Sequence, residues 1–499
     1  MIAHVHFAEK PLFGTVNPPS SKNFTTRYIL AACLAAGRSI VRRPAVQDDA
    51  VALVRCCRDM GAEIIALNST GQAVEYTVEN AADIDRLEIH GFGSAPKLRN
   101  PAKPLDPGNA GAVFRMLLAV SALLPDVSWE TRHHDSLGKR PNRDQIEAFK
   151  QLGIEVESRG DDGCLPMRLR GGLERIRGHI AMKRKELELD EDDAFPVFVS
   201  GEVSSQYTSA LLFLAPLLNM DIEINVTGKL KSLPLIESTR NVLSMAGVAV
   251  ESSASRNMHL VRRGQHFAAR TWDTNGDWPG ASAILAAAVA VPGSEIRVRN
   301  LFQDEQGEKE SAPFYARMGC EVRHEVEPGV GEVLVISRPA DGSLAGARVN
   351  GDLCTDAVLA MMGAATAARG ASRFVQIRNL QFKECDRVRE PIAELRKVYA
   401  TALPSDDPEW PLLSPEKAIW FEPEDDPDTI HVTGMPQGFE GGIEVDGRGD
   451  HRVIMLLSIV ALRCRKGLRI LGAEHVSKSF PSWFDVLRQL GARVDFFEA

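Results

Sequence analysis

The sequence predicts an α/β protein of two domains, built from six copies of one helix-and-strand unit, three to a domain. Two periodic signals and the chain length predict it. The first signal is a glycine that closes an amphipathic stretch and opens a short apolar strand. It occurs at Met60-Gly61-Ala62-Glu63-Ile64, Leu152-Gly153-Ile154-Glu155-Val156, Gly247-Val248-Ala249-Val250, Met318-Gly319-Cys320-Glu321-Val322 and Leu490-Gly491-Ala492-Arg493-Val494. Glycine suits that place because it takes the left-handed backbone that ends a helix. Successive glycines stand 92, 94, 72 and 172 residues apart. The last gap leaves room for one degenerate copy, which Leu395-Arg396-Lys397-Val398 fits.

The second signal is an alternating strand that runs into a polar loop. Its copies are Ser39-Ile40-Val41, Val127-Ser128-Trp129, Ile222-Glu223-Ile224, Glu295-Ile296-Arg297-Val298, Phe374-Val375-Gln376-Ile377 and Leu468-Arg469-Ile470. The loops that follow carry Asp48-Asp49, Asp135 to Arg140, Ser232, Asp304-Glu305, Lys383 to Arg387 and Lys478. A repeated unit that delivers charged loops to one end suits a site built between two groups of units. A chain of 499 residues is also too long for one ordinary core.

Composition narrows the function class. Apolar residues at 44% and charged ones at 25% describe a soluble globular protein. A net charge of −9 argues against a general nucleic-acid or membrane-surface binder. Met1 to Phe13 has no signal pattern, and no apolar run reaches spanning length. The longest, Ala281 to Pro292, reads as a buried helix. Eight scattered cysteines with no Cys-x-x-Cys pair point to buried reduced thiols and a cytoplasmic setting. From 401 to 427, six prolines lie among acids and predict an exposed, irregular insertion.

The chemistry-bearing motifs follow in chain order. Ser21 is a fitting N-cap for a helix whose first residues are Lys22, Asn23 and Arg27, near the positive helix end that favours anions. Gly108 to Arg115 places small residues before a second helical run, where backbone can approach a ligand. Ser204-Ser205-Gln206 precedes an apolar helix and offers either caps or phosphate donors. Lys383-Glu384-Cys385-Asp386-Arg387 and Asp450-His451-Arg452 are dense in charge; taken singly, each also fits an exposed ion-pair cluster.

As an ordered set, these motifs resemble the EPSP synthase (3-phosphoshikimate 1-carboxyvinyltransferase) family along nearly the whole chain. The set comprises Lys22, Arg27, Asn109-Ala110-Gly111, Arg115, Arg140-Pro141, Ser204-Ser205-Gln206, Ser232, Asp356, Asn379, Lys383-Glu384, Asp386-Arg387, Asp450-His451-Arg452 and Lys478-Ser479-Phe480-Pro481. The resemblance implies a two-domain inverse α/β barrel with three βαβαββ-type units per domain. One domain would comprise residues 1–20 with 275–499, the other residues 21–274, closing on substrates at their cleft.

It also implies transfer of the enolpyruvyl group of phosphoenolpyruvate to a hydroxyl of a phosphorylated acceptor. The implied catalytic residues are Lys22, Asp356, Glu384, His451 and Lys478. Phosphoenolpyruvate would be held by Lys22, Gly111, Arg140, Gln206, Arg387, Arg452 and Lys478. The acceptor would meet Asn23, Arg27, Ser204, Ser205, Gln206, Ser232, Asp356, Asn379 and Lys383. No metal and no organic cofactor is implied, the partners are small molecules, and the chain is expected to be a monomer.

Departures from the family pattern cluster at the acceptor. Asn23 replaces a usual serine, as in the related UDP-N-acetylglucosamine enolpyruvyl transferase, while the loop Asp135-Ser136-Leu137 lacks that relative's reactive cysteine. Ala112 stands for a threonine, Leu233 for a cation and Leu235 for a tyrosine. The resemblance therefore leaves 3-phosphoshikimate as first acceptor and a nucleotide such as UMP as second. A non-catalytic ligand-binding relative is the third reading, opposed by the joint presence of Lys22, Asp356, Glu384 and Lys478.

Overall fold

The computed structural model describes residues 1–160, 162–327, 331–340, 344–405 and 412–498. The chain divides into two compact units, Ser20–Thr274 and Met1–Pro19 with Asn275–Ala499. Each has its own hydrophobic core.

Six helices lie deepest, three in each unit. In Ser20–Thr274 they are α1 (Lys22–Leu34), α2 (Gly111–Ser121) and α3 (Ser205–Leu218). In the other unit they are α4 (Trp278–Ala290), α5 (Val358–Ala365) and α6 (His451–Ala461). Helices that are apolar all round have no face to give to water, so they are buried whole. Every residue of α4, α5 and α6 is buried, and the Ala-rich run expected near 281–292 is α4.

Each inner helix leads to a strand, then to an outer helix, then to further strands. The first strands are Arg38–Arg42, Asp126–Trp129, Ile222–Thr227, Glu295–Arg299, Ala371–Val375 and Leu468–Leu471. The outer helices are Asp48–Asp59, Arg143–Gln151, Leu233–Met245, Ser311–Met318, Arg389–Tyr399 and Trp483–Gln489. All five glycines of the first periodic signal have positive φ, from 76° at Gly153 to 114° at Gly319.

The sheets obey one rule. Within Ser20–Thr274, Phe195–Ser200 runs parallel to Ile222–Thr227 across α3, and Met258–Val261 then pairs antiparallel. In the other unit, Arg348–Asn350 is parallel to Ala371–Val375 across α5, and Ile443–Asp446 to Leu468–Leu471 across α6. This is the βαβ crossover followed by a second helix and antiparallel strands. Around α2 the parallel partner shrinks to a bridge from Leu105 to Trp129. Two further parallel pairs use distant chain, Thr271–Asp273 beside Arg38–Arg42 and Phe13–Val16 beside Glu295–Arg299, and a short one joins Leu344–Ala345 to Ala368–Arg369. The strand Ile2–Val5 lies inside a four-stranded sheet, between Leu468–Leu471 and Val494–Phe497.

The segment 401–427 corrects the expectation of an irregular insertion. Residues 406–411 lie outside the described residues. Beyond them, Pro415–Ala418 forms a helical turn and Ile419–Glu422 a strand paired with Thr429–Thr433. Proline at a first helical position costs nothing, because its missing N–H would be free there anyway. Ile419 is buried in the core, so this strand completes the fifth copy. Leu395 to Val398, expected to end a helix, lies within the outer helix Arg389–Tyr399. Among the described residues, no helix is long and apolar enough to cross a membrane.

Candidate active site

The inner helices deliver their N-termini with the predicted motifs upon them. In Ser20–Thr274, Ser21 caps α1 by accepting from the Phe24 N–H at 3.4 Å. Lys22 Nζ lies 3.1 Å from Asp49 Oδ2, a carboxylate on the first turn of the outer helix Asp48–Asp59. Arg27 is 2% exposed. Its Nε donates to Thr239 Oγ1 at 2.8 Å, Nη1 to the Asn23 carbonyl and Nη2 to the Leu235 carbonyl, each at 3.0 Å. Burial lowers its pKa to about 10. Arg27 thus ties the Asn23 carbonyl to the Leu235 carbonyl.

Gly111 opens α2, and a Cβ there would lie 2.9 Å from Arg140 Nη1 and 3.9 Å from Gln206 Oε1. Glycine at this point lets the guanidinium approach the helix end. Arg140 Nη2 reaches Ser136 Oγ at 3.5 Å, while its buried Nε has no protein acceptor among the described residues. Arg115 joins the motifs of this unit. It donates to Gln206 Oε1 at 2.9 Å, Ser204 Oγ at 3.3 Å, Asn142 Oδ1 at 3.0 Å and the Pro141 carbonyl at 3.0 Å. Its guanidinium also covers the Tyr207 ring at 4.9 Å.

Ser204 caps α3, accepting from the Gln206 N–H at 3.3 Å, and Ser205 is buried beside it. Ser232 precedes the outer helix Leu233–Met245 with φ 49°, a left-handed position. Its neighbour Lys231 is 8% exposed and forms no ion pair among the described residues. Lys231 is a cation that sequence reading missed, although Lys229 and Lys231 flank Leu230 in plain view.

In the second unit, charge converges on Arg387, 2% exposed. Its Nε donates to Asp450 Oδ2 at 2.8 Å, Nη1 to Asp356 Oδ1 at 2.9 Å and Nη2 to Glu384 Oε2 at 2.7 Å. Nη2 also reaches Asp450 Oδ1 at 3.2 Å. Burial alone would lower its pKa, but Asp450, Glu384 and Asp356 together raise it well above the usual value. Lys478 Nζ donates to Glu384 Oε1 at 2.7 Å, and Lys383 Nζ lies 3.6 Å from Asp356 Oδ1. Asn379 Nδ2 donates to Thr355 Oγ1 at 3.1 Å, bracing the turn that carries Asp356.

Asp450 is fully buried and also caps α6, accepting from the Arg452 N–H at 2.8 Å. His451 and Arg452 begin that helix, both buried. Arg452 Nε and Nη1 are buried with no protein acceptor among the described residues. A buried guanidinium left so at a helix N-terminus is a strong attractor for an anion.

The structure therefore gathers Asp356, Lys383, Glu384, Arg387 and Lys478 around the start of α6. It likewise gathers Gly111, Arg140, Ser204 and Gln206 around Arg115. Arg387, expected at phosphoenolpyruvate, here spends most of its N–H groups on Asp356, Glu384 and Asp450. The expected site residues include none of Asp49, Arg115, Asp450 and Glu308, since a charged residue in a sequence carries no mark of its distant partner.

Residues 8–487 match the family model for EPSP synthase (3-phosphoshikimate 1-carboxyvinyltransferase). A 3-phosphoshikimate 1-carboxyvinyltransferase of Deinococcus radiodurans is 38% identical over 498 residues, covering 99% of this chain and 97% of its own. One from Halobacterium salinarum is 30% identical over 501 residues, with 99% of each chain covered. Among solved structures, an EPSP synthase from Acinetobacter baumannii superposes with a TM-score of 0.72 at 20% identity, covering 99% of this chain and 100% of its own. The enolpyruvyl transferase NikO from Streptomyces tendae gives 0.65 at 14% identity, covering 99% and 98%. At those identities the two structures speak to the fold.

Proposed function

The chain belongs to the EPSP synthase family, and on that premise we propose that it transfers the enolpyruvyl group of phosphoenolpyruvate to a hydroxyl of 3-phosphoshikimate, releasing phosphate. The observation that carries this reading is the chain of contacts Asp356–Arg387–Glu384–Lys478, two carboxylates braced on one buried guanidinium.

The reaction needs such a pair. The acceptor hydroxyl gives up its proton as its oxygen bonds to C2 of phosphoenolpyruvate, while C3 gains a proton. In the second step the C2–O bond to phosphate breaks as C3 gives a proton back. Asp356 and Glu384 serve these transfers, each near a lysine that can stabilise or resupply charge. Lys22 and Lys478 assist at the departing phosphate. Arg140 and Arg452, whose buried nitrogens face no protein acceptor among the described residues, bind the anionic donor. Gly111 admits it to the start of α2, with Gln206 and His451 alongside.

Ser204, Ser205, Ser232 and Lys383 hold the acceptor's phosphate, and Lys231 adds a cation beside Ser232. Asn23, Gln206 and Asn379 meet the rest of the acceptor. Arg387 keeps the carboxylates in place, and Arg27 fixes the backbone at Asn23 and Leu235. The eight free cysteines suit a reducing compartment, and we place the enzyme in the cytoplasm as a monomer.

The nucleotide reading keeps one observation in its favour, the apolar Leu235 beside Asn23. Purified protein incubated with phosphoenolpyruvate and either 3-phosphoshikimate or UMP decides between them. Phosphate release with 3-phosphoshikimate is the expected result. Release with UMP alone would replace the acceptor, and release with neither would sink the transferase reading on both.

A further inference from the structure

One more buried carboxyl lies beside this machinery. Glu308, 6% exposed, lies on the short turn Gly307–Glu310. The turn is pinned through Gln306, which accepts the Trp278 N–H at 3.1 Å and donates to the Gly276 carbonyl at 3.0 Å. Glu308 Oε1 accepts the backbone N–H of Asp356 at 3.3 Å. Glu308 therefore packs against the backbone of Asp356, close enough for the two carboxyls to feel each other's charge, yet their surroundings differ. Asp356 has Arg387 at 2.9 Å and Lys383 at 3.6 Å. Glu308 forms no ion pair with any Lys, Arg or His among the described residues.

The other groups about Glu308 are Asp277 at the cap of α4, the buried Cys354 thiol and Glu310 on its own turn. Lys309, also on that turn, spends its ammonium on the Asp304 carbonyl at 2.6 Å. Neighbouring carboxyls in a dry site do not both ionise readily, and the proton goes to the one that lacks cations.

We propose that Glu308 is a positioning residue that acts through Asp356: it keeps the proton of the pair, and so leaves Asp356 ionised between Arg387 and Lys383. This deepens the proposed function and rests on the proton-transfer role given there to Asp356. Burial first, and the charge of Asp356 second, push the Glu308 carboxyl up to about 7. Its proton therefore leaves in the neutral range. The second negative charge then makes Asp356 a stronger base.

The test is the pH dependence of kcat, with saturating phosphoenolpyruvate and 3-phosphoshikimate, for the wild type and Glu308→Gln. Wild-type kcat should rise several-fold as pH passes about 7. E308Q, fixed in the neutral form, should keep the acid-side kcat and lack the rise, with both KM values unmoved. A rise retained in E308Q would overturn the proposal. So would a uniform loss at every pH with the profile's shape unchanged, which is what structural support alone predicts.

Infrared titration of the wild type needs no variant. It should show the carbonyl stretch of a buried protonated carboxyl fading as pH passes about 7, and its absence would also overturn the proposal. Wild-type protein with that transition but no turnover would sink the proposed reaction while supporting the shared proton.

Discussion

Arg387 sets the logic of individual residues. A buried guanidinium holding three carboxylates contributes less to stability than its contacts imply, because every charge was first taken from water. Its benefit is geometric, since Asp356 and Glu384 are presented at fixed angles beside their lysines. Asp356→Asn and Glu384→Gln should therefore lower kcat by about 10²–10⁴-fold while moving KM little, the usual reach of general acid–base groups. Steady-state kinetics on each variant checks this, and near-normal kcat would remove that residue from proton transfer. A second prediction concerns the acceptor. Arg27 donates to the backbone carbonyls of both Asn23 and Leu235, so one side chain holds the two positions together. Asn23→Ser with Leu235→Tyr restores a hydroxyl at each position, and hydrogen bonds to charged ligands are worth about 1.5–3 kcal/mol. The double variant should raise kcat/KM for 3-phosphoshikimate relative to UMP about tenfold or more. A fall in that ratio would show that Leu235 does not face the acceptor.

At the scale of elements, the strand Met258–Val261 offers a stability test. His259 on it is buried, with its ring 2.8 Å from Ser252 Oγ. Burial first, then Arg240 and Arg256, lower its pKa to about 4. The unfolded chain takes up this proton below about 6.5, whereas the fold refuses it until about 4. Stability is therefore present above about 6.5 and is lost as pH falls toward 4, on the order of 3 kcal/mol in all. Urea unfolding between those pH values should show a flatter trend in His259→Gln than in the wild type. An identical slope would place the acid sensitivity elsewhere.

This was the scale most legible in sequence. A glycine with positive φ ends a helix by purely local chemistry, so Gly61, Gly153, Gly247, Gly319 and Gly491 announced their copies. The fifth copy is legible from its spacing, but its helix has no closing glycine and its strand Ile419–Glu422 follows a run of prolines, so the helix end and the last strand escape the pattern. Candidate ligands were legible as motifs, but struts were not. Glu308 sits in Gly-Glu-Lys-Glu, which reads as solvated surface, and only folding brings the Asp356 N–H to it. Arg115 is in an ordinary helix interior until α3 places Ser204 and Gln206 against it.

For the whole molecule, the two units differ in how they draw on the chain. Ser20–Thr274 is one continuous stretch with its own core, whereas the other unit needs two stretches. A fragment of residues 20–274 should fold alone with one cooperative transition, and a fragment of residues 275–499 should not. The second fragment lacks Ile2–Val5, an inner strand of one sheet, and Phe13–Val16, an edge strand of another. Calorimetry and circular dichroism on both fragments check this. A cooperative transition in the 275–499 fragment would show that these strands are dispensable. The place of Ile2–Val5 also has a consequence in time. It is made long before either of its partner strands, Leu468–Leu471 and Val494–Phe497, which lie far along the chain. Ser20–Thr274 can complete itself while the chain is still being made, but that strand must wait until Val494–Phe497 has followed it. Whatever shields its unpaired edge in the interval, a chaperone or a temporary partner within the chain, acts during synthesis and has left by the time the enzyme exists.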